Sequence, residues 1–193
     1  MIINIPMFPL SLLPLPDELV PLHIFEPRYK QLLQDAESDD LSFGIFFTNT
    51  INTEKIGSLM KLESVIKRYP GGESDIIVKC HDIFTMDKLY RNFKSRMYPG
   101  GDVTLAEIDL NEMGGGKLTE LFLEYLAKRN ITRQQGFFSL YTIAQELNLE
   151  VNDRYTFLTS DHAGRINFMI QRVKYQTQIL HQEEKSKDVF HLN

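Results

Sequence analysis

The chain of 193 residues is long enough for one large domain or two small ones. Hydrophobic residues make up 42% of it and charged residues 24%, which excludes a disordered or fibrous chain. Lys and Arg number 21 against 26 Asp and Glu, and no Lys/Arg-rich run provides the clustered positive charge that a phosphate backbone requires. We therefore expect no nucleic-acid partner.

The cysteine content and the apolar runs indicate the compartment. Cys80 is the only cysteine, so no disulfide can form within the chain, which favours a reducing environment. No apolar run approaches the ~20 residues that a bilayer requires. Residues 1–6 lack the basic stretch and the small-residue cleavage site of a secretory signal. We expect a cytoplasmic protein without a membrane partner.

A helix is predicted to begin at Pro27, because proline fits the first helical turn, where its missing N–H would have no partner. Its apolar positions share one face and end before the polar cluster at 37–40: Tyr29, Leu32, Leu33 and Ala36.

Short strands follow, and their spacing favours a barrel or a folded-over sheet. They are predicted, in chain order, at 41–48, 59–66, 76–78, 83–89 and 103–108. Tyr-Pro-Gly-Gly occurs at 69–72 and again at 98–101, and we interpret both copies as turns because glycine adopts positive φ without steric cost.

The composition changes at 111–117, where three consecutive glycines indicate a flexible hinge. Four helices are predicted beyond it. The apolar faces of the first two are Leu118, Leu121, Phe122, Tyr125 and Leu126, and then Leu140, Ile143, Ala144 and Leu147. A short third helix covers 153–158 with Asn152 as its cap, and the last runs from Ser160 or Asp161 to about Lys185. The organisation is thus β-rich at 1–110, a hinge at 111–117, helices at 118–185 and a polar, frayed tail at 186–193.

The most informative segment is Pro-Leu-His-Ile-Phe-Glu-Pro-Arg-Tyr at 21–29, about fifteen residues after Ile-Pro-Met-Phe-Pro-Leu at 5–10. This pairing resembles the opening of the Lon substrate-binding domain, the N-terminal domain of the ATP-dependent Lon proteases. The resemblance continues at Phe43-Gly44-Ile45 and Ile56-Gly57-Ser58 and extends weakly to residues 140–144. It implies an α+β fold, with a PUA-like β-barrel followed by a C-terminal helical bundle, as in small bacterial proteins that contain this domain alone.

The chain also departs from the family pattern. Where the family usually has Gly-x-x-Arg-Phe, residues 80–84 retain only Phe84, so no role of that arginine is carried over. Neither the ATPase domain of full-length Lon nor its proteolytic domain with a Ser–Lys dyad has a counterpart here. The resemblance therefore implies a non-catalytic module that helps capture polypeptide substrates and supports assembly.

Two other segments resemble catalytic or metal sites only superficially. Gly114–Thr119 lacks the first glycine of a phosphate-binding loop and the Ser or Thr directly after its lysine, which favours a linker. Cys80, His81 and Asp82 are consecutive, but neighbouring strand residues point to opposite faces. The other histidines are scattered at His23, His162, His181 and His191. We expect no catalytic residue, no metal and no cofactor.

The segment His23–Tyr29 has two interpretations. As an acid–base cluster it would combine His23, Glu26, Arg28 and Tyr29. As a structural signature, which we favour, it locks the corner between a strand and a helix, since Arg28 offers a donor fork suited to a carboxylate. The members of this signature are His23, Phe25, Glu26, Pro27, Arg28 and Tyr29.

The leucine-rich segment 10–16 is the candidate binding surface. Prolines at 9, 14 and 16 discourage a regular central strand there. If they are exposed, its leucines form a patch for unfolded polypeptide: Leu10, Leu12, Leu13 and Leu15. They could equally plug the barrel or face the helices, and both alternatives stay open.

The primary hypothesis is a module that buries apolar side chains of polypeptide segments or unfolded clients between barrel and helices, with added-strand pairing as a further mode. It would deliver these clients to a protease or chaperone. The alternatives are a receptor for a small ligand and a protein–protein assembly module, including a homo-oligomer formed through the last helix.

Overall fold

The computed structural model describes residues 2–131 and 138–190, and it divides into two compact units, Met1–Asp109 and Leu110–Asn193. The first unit contains β1 (Ile2–Pro6), β2 (Leu19–Ile24), α1 (Pro27–Ser38), β3 (Phe43–Phe46), β4 (Ile56–Arg68), β5 (Ser74–Tyr90) and β6 (Gly100–Leu105). The second contains α2 (Gly115–Lys128), α3 (Leu140–Glu146), α4 (Val151–Thr159) and α5 (His162–Phe190). The fold is therefore α+β, and α2, α3 and α4 each pack against α5.

The strands form one antiparallel sheet in the order β1-β6-β5-β4-β3, and β2 also pairs with β5. Strand β5 can hold three neighbours because it is 17 residues long. One of its edges pairs with β2 at residues 74–79 and with β6 at residues 84–90, while β4 occupies the other edge.

The β-rich part was predicted to be a barrel or a folded-over sheet, and the structure has an antiparallel sheet that does not close into a barrel. The terminal strands β1 and β3 are connected by two isolated bridges, Met7 to Gly44 and Leu10 to Phe47, and not by a continuous ladder. The physical reason is that β1 ends at Pro6 and Pro9 lies between the two bridges, and neither proline has an N–H for a ladder.

Phe84 forms the centre of the sheet unit and is fully buried. Its ring lies against two glycines on neighbouring strands. A Cβ added at Gly57 would lie 2.4 Å from the Cζ of Phe84, and one at Gly44 would lie 2.7 Å from its Cε1. The Phe-Gly and Ile-Gly pairs of the sequence thus provide the space that this ring fills.

The predicted helix at Pro27 is confirmed as α1. Pro27 occupies its first turn, Glu26 is its N-cap residue, and the predicted apolar face is buried. Tyr98 and Asp35 fasten the helix to the segment that precedes β6, because the hydroxyl of Tyr98 donates to Asp35 Oδ2 over 2.6 Å in the buried interior.

The strand predictions need two corrections. Residues 76–78 and 83–89 belong to the single strand β5, because residues between them, at 79, 80 and 82, also pair with β4. The second Tyr-Pro-Gly-Gly copy is not a turn, since Gly100 and Gly101 begin β6. Gly100 is required there by close packing, because a Cβ would lie 2.5 Å from the Cδ2 of Phe93, whereas Gly72 in the first copy has a φ of +82°.

The helical predictions also change at the helix ends. Helix α2 already begins at Gly115, inside the segment expected to be a hinge, and α4 has Glu150 and not Asn152 as its N-cap residue. Asp161 is placed as predicted, since its Oδ1 accepts a hydrogen bond from the N–H of Gly164 over 2.8 Å at the start of α5. Helix α5 continues to Phe190, so residues 186–190 of the predicted tail are helical; residues 191–193 lie outside the described residues.

Candidate polypeptide-binding surface

The structure separates the four predicted binding leucines. Leu13 and Leu15 are 2% and 0% exposed, and the carbonyl of Pro14 between them accepts a buried hydrogen bond from Ser58 Oγ over 2.7 Å. Because they belong to the core, these two cannot line an exposed surface. Leu10 is half-buried, and Leu12 alone is exposed, at 42%.

The residues Glu26–Tyr29 lie directly after β2, at the start of α1. The Arg28 Nε donates to Glu26 Oε2 over 2.9 Å, and the guanidinium carbon lies 4.6 Å from the centroid of the Tyr29 ring. The Tyr29 ring stacks on Phe8 with centroids 3.9 Å apart, and burial raises the pKa of its hydroxyl. Glu26 and Arg28 therefore neutralise each other beside a buried ring.

His23 and Phe25 belong to a different environment, an exposed face centred on β2. Along this strand, Val20, Leu22 and Ile24 are the less exposed positions, and the residues between them are exposed. Phe25 follows directly and is 59% exposed, while Leu19 is 56% exposed. We call the β2 face the set formed by the exposed positions and their neighbours on β5: Leu19, Pro21, His23, Phe25, Asp75, Ile77 and Lys79.

His23 and Phe25, together with the neighbouring Tyr69, form the aromatic end of the β2 face, and the Asp75 carboxylate contacts two of these side chains. His23 Nδ1 lies 2.6 Å from Asp75 Oδ1, and the hydroxyl of Tyr69 donates to Asp75 Oδ2 over 2.7 Å. The His23 ring lies 5.9 Å from the rings of both Phe25, at an interplanar angle of 23°, and Tyr69, edge-on at 75°. Hydrogen bonds from His23 and Tyr69 hold the pKa of Asp75 below its usual range, and the bond to Asp75 raises the pKa of Tyr69.

The β2 face was not predicted from the sequence, because its residues were assigned to separate features. His23 and Phe25 were assigned to the corner between a strand and a helix, and that strand was given no bounds. From Leu19 to Phe25 every residue except His23 is apolar, so no alternation of polar and apolar residues marked the exposed face of this strand.

Cys80 is not placed for nucleophilic chemistry. It is buried, burial raises the pKa of its thiol, and its Sγ contacts the carbonyl oxygens of Pro14 and Asp82 at 3.7 and 3.5 Å. His81 next to it is exposed. Among the side chains that the structure describes, those of residues 2–131 and 138–183, no group of three or more His, Cys, Asp or Glu is arranged to hold a metal ion; His191 lies outside these residues.

No helix in the described part of the chain is both long and apolar enough to cross a membrane.

Two of the surface clefts formed by described residues lie in the second unit. The larger one, of about 440 Å³, is lined mainly by polar side chains: Asn148, Leu149, Glu150, Asn152, Asp153, Arg172, Tyr175 and Gln176. The smaller one measures about 220 Å³ and includes Glu124, Lys174 and His181. Small-molecule sites are predominantly apolar with a few polar groups, and the larger cleft lacks that character, whereas the smaller one is more apolar than polar.

The fold is similar to that of two Lon N-terminal domains of known structure. The crystal structure of a Lon N-terminal domain protein from Xanthomonas campestris matches with a TM-score of 0.64 and 20% identity, covering 82% of this chain and 91% of that one. The N-terminal domain of the Mycobacterium avium complex Lon protease matches with a TM-score of 0.61 and 14% identity, covering 89% and 98%.

The family model of the ATP-dependent protease La (LON) substrate-binding domain matches residues 4–182. The chain belongs to this family. A comparison with curated proteins gave no match.

Proposed function

We propose that the chain binds extended polypeptide segments on the β2 face and itself catalyses no reaction. The observation that carries the proposal is the exposure of two large apolar side chains, Leu19 and Phe25, on one face of an edge strand in a substrate-binding family. Fully burying one such side chain contributes about 1.5–3 kcal/mol. Leu19 and Phe25 are each already about half-buried, so a client that covers both side chains gains roughly 1.5–3 kcal/mol in total.

The β2 face favours recognition of side chains over strand addition. Pro21 lies in the middle of β2 and has no N–H to donate to an added strand. Side chains of an extended client alternate with the same period of two as those of β2, so alternate apolar residues can pack on Leu19 and Phe25. The preferred client is therefore an extended segment with apolar residues at alternate positions. In this proposed function, the protein works in the cytoplasm and presents clients to a separate protease or chaperone.

The test is fluorescence anisotropy with a labelled, permanently unfolded polypeptide. The double variant Leu19→Ser/Phe25→Ser is expected to bind at least about tenfold more weakly, since 1.4 kcal/mol corresponds to a factor of ten. Leu123→Ser is the matched control, because Leu123 is an exposed leucine of α2, in the other unit. Leu12→Ser reports on the remaining exposed leucine of segment 10–16.

Two results would contradict the proposal. One is a wild-type protein that captures no unfolded polypeptide. The other is a double variant that remains folded and binds as tightly as the wild type. Hydrolysis of ATP or of peptides by the purified protein would contradict the non-catalytic part.

A further inference from the structure

We propose that the end of the hairpin formed by β5 and β6 docks an acidic segment of a partner protein. We call residues 88–101 the basic hairpin, because they contain four Lys or Arg residues and no Asp or Glu. Without these four, 17 of the 21 Lys and Arg remain against 26 Asp and Glu, so the hairpin is a positive region on an otherwise acidic chain. The inference does not depend on the proposed function, because β2 pairs with residues 74–79, at the other end of β5.

The basic hairpin exposes all four of its cations: Lys88, Arg91, Lys94 and Arg96. Two of them are offset by carboxylates. Arg96 Nε lies 3.1 Å from Asp35 Oδ2, and Lys88 is the partner of Asp102 in the ladder between β5 and β6. The other two make no ion pair within the part of the chain that the structure describes, so about two positive charges are available to a partner.

The loop of the basic hairpin is held in one conformation by its own contacts. The N–H of Phe93 donates to the carbonyl of Tyr98 over 2.8 Å, and the two rings stack with centroids 5.9 Å apart. The N–H of Met97 donates to Gln31 Oε1 of α1 over 2.8 Å, and Tyr98 is bonded to Asp35 of the same helix. A loop that is ordered before binding loses less conformational entropy when a partner docks.

The side chains between the cations indicate a protein partner. Leu89 and Met97 are 51% and 54% exposed, and methionine in particular adapts to varied apolar side chains. Binding of a single-stranded nucleic acid would instead require exposed rings on which bases stack. Phe93 and Tyr98 are buried and Tyr90 is half-buried. Four cations are also fewer than the roughly six to ten phosphate contacts of a strongly salt-dependent DNA-binding protein.

The occupant that fits this surface is an acidic segment with aliphatic residues among its carboxylates. The net charge of the chain is −5, so the protein as a whole repels such a segment and only a local positive region attracts it. Salt screens whichever of the two effects governs binding. Salt therefore weakens binding at the basic hairpin, whereas it would strengthen binding at another place on this acidic chain.

The experiment measures the Kd of the full chain by fluorescence anisotropy at about 0.05 M and about 0.5 M salt. The probe is a labelled peptide of Glu, Asp, Leu and Gly with blocked termini. We expect binding at least roughly threefold weaker at the higher salt, and roughly three- to tenfold weaker for Arg91→Ser/Lys94→Ser at the lower salt. Lys117→Ser/Lys174→Ser is the matched control, because it removes two exposed lysines of α2 and α5 and changes the net charge equally.

Two further double variants locate the peptide. Leu89→Ser/Met97→Ser should weaken binding at both salt concentrations, because it removes the exposed apolar side chains of the basic hairpin. Leu19→Ser/Phe25→Ser should bind the acidic peptide as the wild type does. A loss of affinity confined to the second of these variants would place the peptide on the β2 face and overturn the inference.

Several other results would overturn it. These are a wild-type protein that does not bind the acidic peptide, binding that strengthens with salt, and unchanged binding by folded Arg91→Ser/Lys94→Ser. Tighter binding of a single-stranded oligonucleotide at the same salt would replace the protein partner by a nucleic acid. A dimer that this variant abolishes would replace it by a second copy of the chain. Arg91→Gln/Lys94→Gln serves as the second variant if the serine variant fails to fold.

Discussion

Replacing Gly57 by alanine places a methyl group where the structure has no room. Its Cβ would lie 2.4 Å from the Cζ of Phe84 and 2.5 Å from the backbone oxygen of Ile45. A side chain can rotate away from such a contact, but the carbonyl belongs to a strand and moves only with it. Overpacking of this kind costs about 1–3 kcal/mol, and the backbone contact places Gly57→Ala at the upper end of that range. Gly44→Ala should cost less, because its three nearest contacts are all with side chains.

Urea unfolding followed by circular dichroism measures this effect as a change in the free energy of unfolding. Adding Phe84→Leu to Gly57→Ala should recover only part of the loss, since the contact with Ile45 O remains. Gly116→Ala is the control, because nothing lies within 4 Å of the added Cβ in the first turn of α2. Equal stabilities of Gly57→Ala and Gly116→Ala would refute the reasoning that close packing under Phe84 requires this glycine.

Three further predictions concern buried groups. Leu15→Ala should lower the free energy of unfolding by about 2–5 kcal/mol and Leu12→Ala by less than about 0.5 kcal/mol, and equal losses in urea unfolding would contradict their different burial. Tyr98→Phe should cost about 1–3 kcal/mol, because it removes a buried hydrogen bond to the Asp35 carboxylate; a thermal unfolding curve identical to the wild type would count against this. Cys80 should react with a thiol reagent at pH 8 roughly a hundredfold more slowly in the folded protein than in guanidinium, since its thiol is buried and its pKa is raised; equal rates would contradict that placement.

The elements that the sequence predicted well have a single buried face. Helix α1 is such a case, because its four apolar residues recur at helical spacing directly after a proline suited to the first turn. The family resemblance predicted the α+β class and the order of the two units' elements. A local hydrophobic pattern or a motif was sufficient to predict an element where one short segment contained all the residues that define it.

The remaining features depend on contacts between distant residues. Gly100 was predicted to belong to a turn, because the sequence does not show that Phe93 packs against it. Burial of Leu15 could not be predicted from the sequence. Its N–H donates a hydrogen bond to the Glu18 carboxylate in an irregular loop, and no local pattern indicates such a contact. The β2 face escaped prediction because its aromatic end includes Tyr69 and Asp75, about fifty residues after His23.

The pairing of β1 with β6 delays the folding of β1 while the chain is being synthesised. Ile2 pairs with Thr104 and Pro6 with Gly100, so β1 is made about a hundred residues before β6, its ladder partner in the described sheet. At about 5–20 residues per second, a ribosome takes roughly 5–20 s to make that interval. Throughout it, residues 2–6 carry an unpaired edge, and Pro6 at its end limits pairing with other nascent chains.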